Sequence, residues 1–159
     1  MGSQAAHTYF TYRTACGPLT LAATANALVR VVPGDMALDG QKRAVSITND
    51  AATQIMEYLA GKRTVFDVPV LVEEGTPFQQ RVWKTVGAVP YGQVRTAANI
   101  AATMGSPDSF RAVGSALRKN PLPVLIPAHR IVNARGTIDG TDALAALYRA
   151  CLEVEHRFA

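Results

Sequence analysis

Thr96-Ala-Ala-Asn-Ile-Ala-Ala-Thr-Met-Gly105-Ser-Pro-Asp-Ser-Phe-Arg111-Ala-Val-Gly114-Ser-Ala-Leu-Arg-Lys119 is the stretch on which the fold turns. Thr96 can cap a short alanine-rich helix that ends at Gly105, and Ser106-Pro107 opens a second helix running to about Lys119, before Asn120-Pro121. Two short helices on a Gly-Ser-Pro connection are what a helix-turn-helix needs. The second helix carries Arg111, Arg118 and Lys119. Gly114 costs about 1 kcal/mol relative to alanine inside a helix. With Ala112 and Ser115 it makes a face of small side chains, which allows close approach by a neighbouring helix or by a nucleic-acid groove. Helical hairpins that bind nothing share this pattern, so both readings stand at this point.

Upstream, Thr76-Pro77 is a cap followed by proline in the first turn, and Phe78, Val82, Trp83 and Val86 form one apolar stripe. Earlier still the pattern changes to strands. Tyr9, Thr11 and Arg13 alternate with Phe10 and Tyr12, Pro18–Thr24 follows a Gly17-Pro18 turn signal, and Leu28–Val32 ends at Pro33-Gly34. Asn49 or Asp50 is expected to cap a helix with Ile55, Met56 and Leu59 on one face, stopped by Gly61. Val65–Val72 is expected to be extended, and Glu73-Glu74-Gly75 to be a linker. The expected class is therefore α+β: residues 1–73 as a small antiparallel sheet domain, residues 76–159 as a mostly helical one.

The composition agrees with a packed globular chain, at 159 residues with 48% hydrophobic and 18% charged. No apolar run approaches the roughly 20 residues that span a bilayer, and Met1–His7 has no charged start leading into an apolar stretch. The expectation is an intracellular protein without a membrane partner. The net charge of +4 is unevenly placed: six Lys/Arg face seven Asp/Glu up to Gly75, against ten and five from Thr76 onward. The basic surplus sits in the second half, which favours a polyanion partner there. Cys16 and Cys151 are expected to be inert small core residues. With His7, His129 and His156 they form no close ligand spacing, so neither metal nor cofactor is expected.

The chemistry lies in Asn120-Pro-Leu-Pro-Val-Leu-Ile-Pro-Ala-His-Arg-Ile-Val132. Together with Gly75-Thr-Pro-Phe-Gln79, Val82-Trp83, Pro90-Tyr-Gly92, Arg111-Ala-Val-Gly114 and Glu155-His156, this segment resembles the methylated-DNA–protein-cysteine methyltransferases, which repair O6-alkylguanine. The resemblance runs from about Thr76 to Phe158, with a weaker echo in Gly17-Pro-Leu-Thr-Leu21. It implies an RNase-H-like roll for the first part and a helix-turn-helix that enters the minor groove of double-stranded DNA for the second. A base inside a duplex must be rotated out before its atoms can be reached. The resemblance makes Arg111 the side chain that fills the resulting gap, with Ser106, Ala97, Ala98, Ala112, Gly114, Arg118 and Lys119 also on the DNA side. Asn120, Pro127, Ala128, Thr141 and Asp142 are its base pocket. A monomer is implied, with other repair proteins as further partners.

In the family a cysteine attacks the alkyl carbon, a histidine takes the thiol proton, and a glutamate holds the histidine. His129 and Glu155 occupy two of those positions; the nucleophile's position is Ala128. A methyl group has no lone pair and no proton to lose, so the site is not competent for alkyl transfer, and no tuning by His129 alters that. Ala97 stands where a tyrosine presses on the target phosphate, Gly140-Thr-Asp-Ala-Leu144 replaces a Gly/Tyr-rich loop, and Asp108 replaces a basic residue. Four readings remain open. The first is a natural alkyltransferase-like lesion sensor, which the several departures around one pocket favour. The second is a methyltransferase with an engineered Cys-to-Ala change. The third is a DNA-binding module indifferent to damage. The fourth is a hydrolase that uses His129 and Glu155 on water.

Overall fold

The computed structural model describes residues 7–159, and the reading of the first six residues as free of a secretion signal lies outside them. The chain divides into two compact units between Glu73 and Glu74.

In the first unit, β1 (Thr8–Thr14), β2 (Gly17–Ala23) and β3 (Leu28–Pro33) form the expected antiparallel meander. Gly17, at φ 90, makes the first turn possible, and the Thr14 hydroxyl closes it by donating to the Gly17 carbonyl at 2.7 Å. The second turn is braced by Thr24, whose hydroxyl accepts from the Asn26 and Ala27 amides at 3.2 and 3.1 Å. A fourth strand, β4 (Gln41–Lys42), pairs in parallel with β1 and gives the order β3-β2-β1-β4. It was not foreseen, because two exposed polar residues carry no alternation. The central strand β2 buries Leu19, Leu21 and Ala23 almost completely.

Helix α1 (Ser46–Leu59) packs on β2 through Ala51, Ala52, Ile55 and Tyr58. It starts a turn before the expected Asn49 or Asp50 cap. The Thr48 hydroxyl accepts from the Val45 amide at 3.0 Å and so supplies the cap from inside the first turn. Asn49 instead accepts from the Tyr12 hydroxyl at 2.7 Å. Met56 lies on the solvent side, which corrects the expected stripe. Of the extended segment, Val70 bridges to Leu28, with the Leu71 amide donating to the Leu28 carbonyl at 2.9 Å.

The second unit is built on α2 (Pro77–Gly87), β5 (Arg95–Thr96), α3 (Ala97–Thr103), α4 (Phe110–Arg118), β6 (Ile131–Val132) and α5 (Ala143–Phe158). Thr76 and Gln79 form a capping box on α2, and Thr96 and Asn99 form another on α3. Gly105, at φ 78, ends the first helix of the pair as expected. The second departs from expectation at its start: Pro107–Ser109 is a 3-10 turn, Ser106 makes no side-chain cap, and the α-helix begins at Phe110. Trp83 ties α2 to α4 by donating to the Ala116 carbonyl at 2.8 Å, in a core with Val82, Val86, Ile100 and Val113. The two-residue strands β5 and β6 pair in parallel, too short to leave a periodic signal. Cys151 is buried as expected; Cys16 is exposed, which corrects its reading as a core residue. Among the described residues, no helix is long and apolar enough to cross a membrane.

Candidate nucleic-acid interface and base pocket

The loop from Asn120 to Pro127 delivers the Pro-Ala-His-Arg turn. Asn120 is nearly buried and organises it from within. Its amide donates to the Ile126 carbonyl at 3.0 Å and to the Tyr148 hydroxyl at 3.2 Å, and its carbonyl accepts from the Leu122 amide at 2.9 Å. Val124 sits in this loop at φ 77, a left-handed conformation that costs a β-branched residue on the order of 1–3 kcal/mol and is held by the surrounding packing. Ala128–Arg130 then forms a 3-10 turn. It sets the Ala128 methyl in the wall of a cavity of about 380 Å³ and turns His129 inward, where it is fully buried.

His129 meets a carboxylate that is already well supplied with donors. Glu155, 1% exposed on α5, lies with Oε2 2.6 Å from His129 Nε2. Arg130 donates to the same carboxylate through Nε at 2.8 Å and Nη2 at 3.0 Å, and the Gly92 amide donates at 3.0 Å. Arg130 also donates to the Val89 carbonyl at 2.7 Å, and its guanidinium lies 5.6 Å from the Tyr91 ring centroid. The turn, α5 and the Tyr91-Gly92 loop are thus pinned to one buried carboxylate. Burial lowers the His129 pKa below the ordinary histidine value. The hydrogen bond and charge of Glu155 pull it upward, and the nearby Arg130 charge lowers it further. The arginine already balances the carboxylate, so the imidazole stays neutral and donates its Nε2–H to Glu155. Nδ1 then carries the lone pair that a general base requires.

The cavity brings together residues that the sequence separates widely. Of the expected base-pocket residues, Ala128, Thr141 and Asp142 line it; Asn120 and Pro127 do not. Ala97, Gly114 and Arg118, expected on the DNA side, line it as well. Asp142 has a structural task, since its side chain accepts from the Ala145 amide at 2.9 Å and caps α5. The 133–142 loop is tied down locally: Asn133 donates to Thr137 and Asp139 at 2.8 and 2.9 Å, and Arg149 donates to the carbonyls of Ile138 and Gly140. Sequence reading missed Leu117, Ile138 and Tyr148 in the wall, whereas Leu144 belongs to the 140–144 loop expected there. Leu144, Tyr148, Leu152 and Glu155 follow helical spacing, a signal that would have placed Tyr148 beside the pocket.

On the remaining surface, Arg111, Ala112, Arg118 and Lys119 are exposed on α4 or just after it, Ala98 is exposed on α3, and Ser106 is half-buried between the two helices. The Arg111 guanidinium carbon lies 5.8 Å from the Phe110 ring centroid.

A small sheet unit is thus followed by a unit that pairs two short helices and holds a pocket at its Pro-Ala-His-Arg turn. Residues 77–157 match the family model described as 6-O-methylguanine DNA methyltransferase, DNA binding domain. Residues 8–72 match its ribonuclease-like domain, as the expected roll requires. The chain belongs to the 6-O-methylguanine DNA methyltransferase family. It is 35% identical over 151 residues to the methylated-DNA–protein-cysteine methyltransferase of Mycobacterium bovis, covering 92% of this chain and 91% of that one. With the constitutive enzyme of Bacillus subtilis it shares 45% identity over 91 residues, 57% of this chain and 54% of the relative. The crystal structure of the Mycobacterium tuberculosis O6-methylguanine methyltransferase superposes with a TM-score of 0.84 at 34% identity, covering 96% of this chain and 94% of that one. A structure of the Mycobacterium tuberculosis protein in complex with DNA gives 0.85 at 35% identity, with the same coverage.

Proposed function

We propose that this protein binds double-stranded DNA, rotates an O6-alkylated guanine into the pocket beside Ala128, and holds it there without removing the alkyl group. One observation carries the reading: a methyl group lines the pocket where the nucleophile would stand, while the base and its carboxylate behind it keep their hydrogen bonds. The exposed cations of α4 provide a sequence-independent attraction to phosphate. The exposed Ala112 and the half-buried Gly114 leave room for a groove to approach, and Arg111 supplies a group to fill the vacated stack. A damaged base pair is cheaper to open than an intact one, so lesions are selected before any pocket contact is made. Such a protein acts by marking the site for other repair proteins.

The test is fluorescence anisotropy with two duplexes that differ only in one O6-methylguanine. Tighter binding to the damaged duplex is expected; equal affinity would reject lesion sensing and leave a DNA-binding module indifferent to damage.

A further inference from the structure

Phe110 is 45% exposed, at the first position of a helix whose other outward residues are small or charged. The buried side of α4 is made by Val113 and Ala116, and the ring does not join them. Phe110 lies four residues before Gly114 and seven before Leu117, so helical geometry puts it on the stripe that lines the pocket, one turn toward the N-terminus. Side chains on a helix lean toward its N-terminus, which carries the ring further out from the pocket mouth. Beside it, the Arg111 guanidinium lies 5.8 Å from the ring centroid, within cation–π range.

We propose that Phe110 is an aromatic wedge that works in tandem with Arg111. Its ring stacks on the base next to the gap that the arginine fills when a nucleotide is extruded. The inference rests on the base-extruding reading and adds a residue and a ligand surface to it, namely the π-face of a neighbouring, unextruded base. Extruding one nucleotide strips stacking partners from the bases around it. A guanidinium replaces one layer; a flat apolar ring replaces another at little conformational cost, and it recognises every base because each has a π-face. The cation–π contact holds the two groups side by side before DNA arrives, so less ordering is left for the binding step. The exposed ring on a cationic face is thereby accounted for: water is its neighbour only until a duplex is bound.

The experiment compares the full chain with Phe110→Ala, Phe110→Trp and Arg111→Ala, by anisotropy on duplexes with and without O6-methylguanine. Circular dichroism checks that each variant keeps its fold. Phe110→Ala is expected to weaken binding to the lesion duplex on the order of tenfold, whereas Phe110→Trp stays near the parent affinity. In Phe110→Trp the emission of the introduced indole is expected to be quenched when the lesion duplex is added, a direct sign of stacking. Trp83, buried in the core, serves as the background in the parent chain. Binding by Phe110→Ala within about twofold of the parent, with Arg111→Ala impaired, would overturn the wedge and leave base extrusion standing. Equal losses in Phe110→Ala and Phe110→Trp, with no quenching, would also overturn it. Should the parent chain bind damaged and undamaged duplexes alike, the base-extruding reading fails, and the wedge fails with it.

Discussion

His129 and Glu155 lie 2.6 Å apart in the interior, and Arg130 donates to both oxygens of the same carboxylate. The three side chains come from a 3-10 turn and the last helix, so the contact fixes the turn that carries Ala128. Because this arrangement holds α5, the turn and the Tyr91-Gly92 loop together, it has a folding role whether or not the histidine ever moves a proton. That role gives the network a reason to persist beside a position, 128, that carries a methyl group and no thiol.

Glu155→Gln should therefore cost stability. The neutral amide leaves Arg130, only 11% exposed, without its counter-charge, and breaking a buried pair of this kind typically costs about 3 kcal/mol or more. Urea unfolding of the variant and the parent checks this. A loss under about 1 kcal/mol would show that solvent reaches the pair.

Acid should loosen the fold in a defined window. The folded-state pKa of His129 is lowered, chiefly by burial, whereas the unfolded chain titrates near the ordinary value of 6.5. Below that value the unfolded state takes up a proton that the folded state refuses. The contribution of His129 is thus complete above about pH 6.5 and is lost progressively as the pH falls toward the folded-state pKa. Melting temperatures measured from pH 8 to pH 5 should fall, and less so in His129→Gln, where this residue no longer titrates.

Gly114→Ala separates stability from binding. A methyl group placed there meets no atom within 4 Å, and helix propensity favours alanine by about 1 kcal/mol. The variant should melt higher than the parent. The same methyl would stand on the pocket-lining side of α4, where the proposed function brings the DNA groove, so affinity for duplex should fall. Unchanged affinity would mean that DNA does not approach α4 closely.

Lys119 should act through charge alone. It is exposed at the C-cap of α4, and replacing it with Ala should weaken damaged and undamaged duplexes alike. The slope of log K against log salt should become shallower by about 1, the signature of one lost phosphate contact. A titration between 50 and 200 mM salt, a range in which such contacts are readily measured, distinguishes this from loss of a base contact.

How much could be read in advance followed the range of the interactions. The caps at Thr76 and Thr96 were legible because each acts within one turn of the chain, and the structure adds Gln79 and Asn99 as their capping-box partners. The meander was legible from alternation and from the turn at Gly17. The start of α1 was not, since its cap comes from Thr48 within the first turn while Tyr12, a strand residue, engages Asn49. The parallel pairs β1–β4 and β5–β6 are two residues long and exist only through tertiary placement. In the pocket, the motif pointed to Ala128 and Asp142, but the wall formed by Leu117, Ile138 and Tyr148 depends on how three separate segments meet. Asn120 was placed one layer too far forward: a polar residue next to a pocket motif resembles a ligand-binding group, yet its hydrogen bonds are spent on the loop and on Tyr148.

The sharpest prediction concerns Ala128→Cys. Ala128 is 2% exposed in the cavity wall and immediately precedes a histidine whose Nε2 is committed to Glu155, leaving Nδ1 as the nitrogen able to accept a proton. A thiol introduced there would pass its proton to that nitrogen as an ion pair, the new thiolate and the Glu155 carboxylate offsetting the burial that otherwise keeps the imidazole neutral. The thiolate would attack the alkyl carbon of O6-methylguanine, forming an S–C bond as the C–O bond breaks, and guanine would regain its O6 carbonyl after taking up a proton at N1. If the pocket still positions the lesion, incubation with DNA carrying a labelled O6-methyl group should leave one labelled methyl per protein, with none on the parent chain. Label on the parent would contradict the absence of a nucleophile. No label on Ala128→Cys, despite tight binding to the lesion duplex, would mean that the base is held too far from position 128 for attack. The altered wall at Ala97 and Asp142, rather than the missing sulfur alone, would then set the limit on chemistry.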